Sequence, residues 1–398
     1  MINEVDTNKL EEIIRKYQEE NPNVFEFLID GVQHIRIYKY YDREGVSDIV
    51  IPDFVYGFCT DESDSNKVYP SPFKHAKYLK SITLGSGIRD LSYTFAFMTN
   101  ETEIDISNWD VSKVVNMYRM FESCDCEKFG DISNWDVSNV TNMSAMFSDS
   151  KLKDIGKFDN WDVSSVIDMS SMFSDSWLKD IGKLDNWDVS SVTDMSAMFY
   201  GVKIRDIGCI DNWDVSNVTT MNHMFSCLGL GHIGLMHIGR LDNWDVSSVT
   251  DMLFMFGRSD LEYIGRLDNW NVSNVEDISC MFCDSRLKDI GRLDNWDVSK
   301  VEYMDCMFSG SKLKDIGRLD NWNVSNVVCM GEMFMWSELE SIGDISNWDV
   351  SNVTEMDLMF YGAKLEDIGC IDNWDVSNII DMRDMFVGSN IKRPKWYN

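Results

Sequence analysis

No stretch of 18 consecutive apolar residues occurs in this chain, so it offers no candidate membrane-spanning helix. The opening residues, MINEVDTNKLEEIIRKYQEE, are polar and acidic rather than a charged start followed by an apolar core. They do not read as a secretory leader, and the expected location is the cytoplasm, or the cell surface if a leader has been removed. Positive charge is scarce: 36 Lys and Arg stand against 67 Asp and Glu, for a net charge of −31. Residues 101–398 hold 51 of the acidic and 25 of the basic groups, so the imbalance belongs mainly to that part. Such a surface repels nucleic acid and anionic membrane and attracts basic proteins. The ten cysteines follow no framework spacing and read as thiols of a reducing compartment. A nucleophile with its base, a phosphate loop and a metal signature are all missing, so the chain is expected to be neither an enzyme nor a cofactor protein.

What is present is a repeat. Trp109, Trp135, Trp161, Trp187, Trp213, Trp244, Trp270, Trp296, Trp322, Trp348 and Trp374 are 26 residues apart, except for one gap of 31. Each sits in N-W-(D/N)-V-S and is followed by V-x-x-M-x-x-M-F, with Ile278 once in place of the first methionine and Ile379 once in place of the valine. A period in this range means one supersecondary unit stacked on itself. The expected fold is an α/β repeat solenoid, leucine-rich-repeat-like: a parallel β-sheet with one short strand and one short helix per coil. In Leu178–Ser190, Gly182 separates Ile181 from Leu184, an odd spacing that predicts a β-bulge so that both point inward. Val192, Met195, Met198 and Phe199 have helical spacing, with Thr193 or Asp194 as N-cap. The repeated methionines account for 21 of 25 and read as core filler beside aromatic rings.

The phrase DISNWDVSNVTNMSAMF at Asp131–Phe147 resembles the repeat of BspA-like leucine-rich-repeat proteins, in the mycoplasma-type surface-protein subgroup. The likeness covers about residues 101–388. Ile49–Pro52 and Tyr78–Gly85 resemble a shorter repeat type of the same broad family. The resemblance implies a non-catalytic binding or adhesion solenoid. Four segments follow: 1–58 as an N-terminal cap of helix and β-hairpin, 59–100 as a loop and first divergent repeat, 101–388 as the solenoid, and 389–398 as a tail. In the cap, Leu10, Ile13, Ile14 and Tyr17 share a helical face with Asp6 or Thr7 as its cap, and Asp30-Gly31 is a hairpin turn. Residues 60–73 are expected to form a loop, and Trp396 to tuck over the last coil.

Two kinds of residue are candidates for a site. Lys157, Lys183, Arg240, Arg266, Arg292 and Arg318 alternate with Asp159, Asp185, Asp242, Asp268, Asp294 and Asp320, two positions on and on one face. These rows are either a surface ion-pair lattice or a binding face, and Asp159, Asp185, Asp268, Asp294 and Asp320 enter the candidate set. Trp177, Met236, Phe254, Met335 and Trp336 place large apolar groups where other repeats carry small or polar ones, and interface anchors look like this. The Asp row beginning at Asp110 caps turns or, as a minority reading, binds calcium. Cys280 and Cys306 share a repeat slot on consecutive coils, and Cys280 and Cys283 form a C-x-x-C, but no fourth ligand is apparent, so the three read as structural thiols. His232 and His237, in the insertion at Ser226–Met236, are a weak metal signal. The expected function is a protein-binding scaffold, monomeric, with a basic protein partner and no direct nucleic-acid binding. An acidic mimic of nucleic acid that inhibits a DNA- or RNA-binding enzyme is the alternative, and a cell-surface adhesin a third reading.

Overall fold

The computed structural model describes residues 7–59, 71–99, 103–126, 128–227 and 234–397. Most of the expected 60–73 loop, Asp6, and His232 with the centre of the 226–236 insertion lie outside the described residues. Two compact units are present, Met1–Gly182 and Lys183–Asn398. Among the described residues, no helix is long and apolar enough to cross a membrane.

The first unit opens with α1 (Thr7–Glu20), β1 (Phe25–Ile29) and β2 (Ile35–Tyr40). The hairpin forms because Asp30 Oδ1 accepts the amides of Val32 (3.0 Å) and His34 (2.9 Å), closing the turn that Asp30-Gly31 announces. Helix α1 seats Tyr17 edge-on against Phe27 and Phe54, at 5.7 and 5.6 Å. Next come β3 (Asp48–Val50), β4 (Gly57–Phe58) and β5 (Ser81–Thr83). β2 pairs antiparallel with β1 and parallel with β4, and β3 pairs parallel with β5. From β4 a line of single-residue parallel bridges runs Gly57–Asp90–Asn116–Asn142–Asp168. The hairpin thus covers the first edge of that line, as a solenoid cap must.

The repeats depart from the expected strand and helix. After β5 the one further described element is a three-residue 3₁₀ turn, Ile371–Asn373. Bridges and β-turns carry the rest. In the V-x-x-M-x-x-M-F segment, the amides of Met143, Ala145, Phe147 and Asp149 donate to Asp168, Ser170, Met172 and Ser174 on the following coil. Those between them, on Met146, Ser148 and Ser150, donate three residues back to Met143, Ala145 and Phe147. Ala145 and Asp149 have φ of 53° and 52°, in the left-handed region that a helix excludes. Apolar groups three apart suit consecutive turns as well as a helix, and a helix this short gains little by itself. The proposed N-cap Asp194 instead bridges Thr220, and its Oδ1 accepts the Ser196 amide at 2.8 Å. Gly182 has φ +82°, and Ile181 and Leu184 are both fully buried. Their inward orientation is as expected, but the glycine lies in irregular backbone rather than in a bulged strand, its amide donating to Asp180 Oδ1 at 3.0 Å.

Stacked identical side chains build the core. Phe282 lies parallel to Phe256 and Phe308, with centroids 5.9 and 5.7 Å apart. The eleven repeat tryptophans are all buried, and Trp270 Nε1 donates to Leu241 O at 2.9 Å, a bond repeated along the ladder. Trp396 continues the ladder: it stacks on Trp374 at 6.3 Å and donates to Ile371 O at 2.8 Å. The tail therefore closes the last coil, as the sequence indicates.

One core column is polar. The hydroxyls of Ser150, Ser176, Ser259, Ser285, Ser311 and Ser337 are buried without a hydrogen-bond partner. Val202 and Ala363 hold the same slot, also buried. A buried unsatisfied hydroxyl costs about 1–3 kcal/mol. Ser285→Ala is expected to raise stability by about 1 kcal/mol, read as a higher urea midpoint at unchanged slope. A lower midpoint would show that this hydroxyl is satisfied in solution.

Candidate interaction surface

The paired charged rows form, and they bind the coils to each other. Arg266 Nε lies 2.8 Å from Asp268 Oδ2 and Arg292 Nε 2.7 Å from Asp294 Oδ2. Arg318 pairs with Asp320 in the same way. Arginine's fork reaches two residues along its own coil, whereas Lys157 and Lys183 reach the next coil, to Asp180 and Asp206. Asp268 Oδ1 accepts the Arg292 amide at 2.8 Å, and Asp320 Oδ1 the Asp344 amide at 2.8 Å. Asp185 and Asp294 accept the amides of Cys209 and Arg318. Hydrogen bonds from Arg266 and Arg292, the largest influence, hold Asp268 and Asp294 below the ordinary carboxylate value against partial burial. These carboxylates are inter-coil staples, and the surface presents them as Arg–Asp pairs.

The glycine slot makes the staple possible. A Cβ on Gly317 would lie 2.5 Å from Asp294 Oδ1, and one on Gly182 would overlap the carboxylate of Asp159. The sequence carries a signal for this coupling. Where Ser133 and Ser346 replace the slot aspartate, Asp131 and Asp344 replace the basic residue two positions earlier. Their carboxylates then fill the space under Gly156 and Gly369.

The row after the tryptophans caps turns. Asp188 Oδ1 accepts the Ser190 amide at 3.1 Å and its hydroxyl at 2.6 Å, and Asn271 accepts the Ser273 amide at 3.2 Å. Asparagine makes the same backbone bond as aspartate, so the row's role in the turn needs no charge. Ser112 and Ser164 hydroxyls, then their amides, lower the pKa of Asp110 and Asp162.

The apolar candidates fall into different environments. Trp177, in the first unit, is 38% exposed, and its amide donates to Ser150 O at 2.9 Å. In the second unit Met236 is 40% exposed and Trp336 58%. Phe254 and Met335 are half-buried. Phe254 stacks on His223 at 5.3 Å under the Arg258 guanidinium, so it is less accessible than the sequence suggests. Trp336 takes a left-handed slot, φ 54°, that holds glycine at Gly310 and Gly362. Its ring lies over Gly362, where a Cβ would collide with the indole, and edge-on to Tyr361 at 5.2 Å. With Met335 beside it, Trp336 is the centre of an exposed aromatic patch.

Residues 89–183, 176–230, 210–311, 231–335 and 286–395 each match the model of a family described as "Mycoplasma protein of unknown function, DUF285". Among solved structures, the chain is similar to a leucine-rich repeat protein from Bacteroides ovatus ATCC 8483. That likeness has 11% identity and a TM-score of 0.22, over 93% of this chain and 98% of the other. No curated protein matches the sequence.

Proposed function

This chain belongs to that Mycoplasma repeat family, and we propose that it is a non-catalytic protein-binding scaffold presenting an acidic surface to a partner with a basic face. The observation that carries this reading is Trp336, an off-period indole left 58% exposed on a scaffold whose eleven repeat tryptophans are buried. Its seat over Gly362 holds the ring rigid, so little side-chain entropy is lost when a partner covers it. The net charge of −31 supports a basic partner, whose approach it would accelerate at low salt. The pairing of Asp268, Asp294 and Asp320 with arginines favours this reading over mimicry of nucleic acid, which requires rows of uncompensated anions.

The test is quantitative capture of proteins from an extract of the source cells, by the intact chain and by a Trp177→Ala/Trp336→Ala variant. The intact chain is expected to retain a saturable partner whose binding weakens with salt. The variant should lose about tenfold or more in affinity, as for anchor residues contributing about 2 kcal/mol. Equal capture by both proteins would remove the aromatic patch from the account.

A further inference from the structure

Cys280 and Cys306 occupy the same left-handed slot on consecutive coils, both with φ 55°. The Cys280 amide donates to Asp305 O at 2.8 Å, and the Cys306 amide to Gly331 O at 2.8 Å, which fixes the two slots side by side. One ligand atom each from Cys280, Asp305 and Cys306 lies within 4.8 Å of the other two. Cys283 belongs to the same turn as Cys280, its amide donating to Cys280 O at 3.0 Å, and its thiol lies just outside that cluster, 3.8 Å from Asp284 Oδ2. The sequence shows three thiols without a fourth ligand. Stacking supplies the oxygen of Asp305, whose position Ser279 Oγ secures at 2.8 Å.

We propose that Cys280, Cys283, Cys306 and Asp305 form a site for a soft divalent cation of the zinc class. Three sulfurs and one carboxylate oxygen are a tetrahedral donor set of the kind zinc selects. A cation about 2.3 Å from each sulfur places those sulfurs about 3.8 Å apart; the donors of Cys280, Asp305 and Cys306 already cluster, and Cys283 would join them by rotating its thiol away from Asp284. Two cysteines separated by two residues on one turn, with the remaining donors from elsewhere in the fold, follow the usual layout of structural zinc ligands. A cysteine ligates such a cation as its thiolate, so each ligand thiol gives up its proton. Binding exchanges those protons for the metal. The cation would join consecutive coils of the second unit through side chains, where elsewhere backbone bonds and Asp staples do so.

Cobalt(II) added to the reduced full-length protein is the probe. One equivalent is expected to bind, with a thiolate-to-cobalt charge-transfer band and tetrahedral ligand-field bands that zinc removes. Cys280→Ser should abolish the charge-transfer band. Asp305→Asn, which keeps every thiol, should keep that band but weaken affinity by about tenfold or more. Cys209→Ser, at an exposed cysteine outside the cluster, should bind as the intact chain does. Circular dichroism of each variant establishes that it is folded. The proposal is overturned if no stoichiometric band develops, if folded Cys280→Ser binds cobalt as well as the intact protein, or if the thiols oxidise to a disulfide without taking up metal. None of these outcomes depends on the aromatic patch.

Discussion

Replacing Arg36 with methionine is expected to lower the stability of the first unit by about 3–5 kcal/mol, the loss typical when one partner of a buried ion pair is removed. Arg36 Nε lies 2.7 Å from Asp30 Oδ2, and its Nη1 lies 2.7 Å from Asp90 Oδ2 and 3.1 Å from Phe58 O. The three side chains are only 16%, 18% and 9% exposed, so methionine would leave two desolvated carboxylates without their cation. Both ends matter to the fold: Asp30 closes the hairpin, and Asp90 begins the bridge line to Asn116. Burial opposes ionisation of Asp30, but hydrogen bonds from Arg36, His34 and Val32 outweigh it and lower the pKa. A depressed folded pKa contributes stability above the unfolded value, about 3.9, that is lost as pH falls through the folded value. In the variant Asp30 loses its cation, so the gap from the parent protein should shrink below about pH 4. Urea titrations at neutral and acid pH measure both effects. A loss under about 1 kcal/mol at neutral pH would show that water already solvates this cluster.

Phe282→Ala is expected to cost the second unit about 3–5 kcal/mol. The ring is fully buried between Phe256 and Phe308, and its amide donates to Met307 O at 3.0 Å. Truncation opens a cavity and also weakens coupling between neighbouring coils. In a repeat array that coupling holds the unfolding transition together. The urea transition should therefore move to lower concentration and become broader or biphasic, while Phe282→Leu, which keeps most of the volume, changes less. A single transition with the parent's midpoint and slope would mean that the neighbouring coils collapse onto the vacated space.

The core was legible because a burial pattern repeated eleven times averages out local variation: the Trp and Phe columns, and the Met columns apart from Met382 in the last repeat, are buried where the spacing places them. The Asp30-Gly31 hairpin and the role of Trp396 were legible for local reasons, a turn signal and a ladder residue beyond the last repeat. The conformation between the methionines was not. Val192, Met195 and Met198 are three apart in a helix and in successive turns alike, and what separates the two is where the amides donate. For Asp268 and Asp294 the alternation with arginine left two readings open, a surface ion-pair lattice and a binding face. Their backbone acceptor role becomes visible only when Gly291 and Gly317 are recognised as seats for carboxylates from the preceding coil. Trp336 was legible as an exception to the period, whereas the Gly362 seat that holds its ring was not.

The sequence by itself determined the period, the buried columns, the excess of negative charge and the two capping ends, because each depends on residue type at fixed spacing. Only the tertiary structure decided which groups from different coils meet: amides with carbonyls one coil on, Asp294 with Gly317, and Cys280 with Asp305 and Cys306. Those acceptors and ligands do not exist for a single repeat. They come within reach when the coils stack, and every second amide of a turn then bonds to its neighbour coil instead of completing a helix.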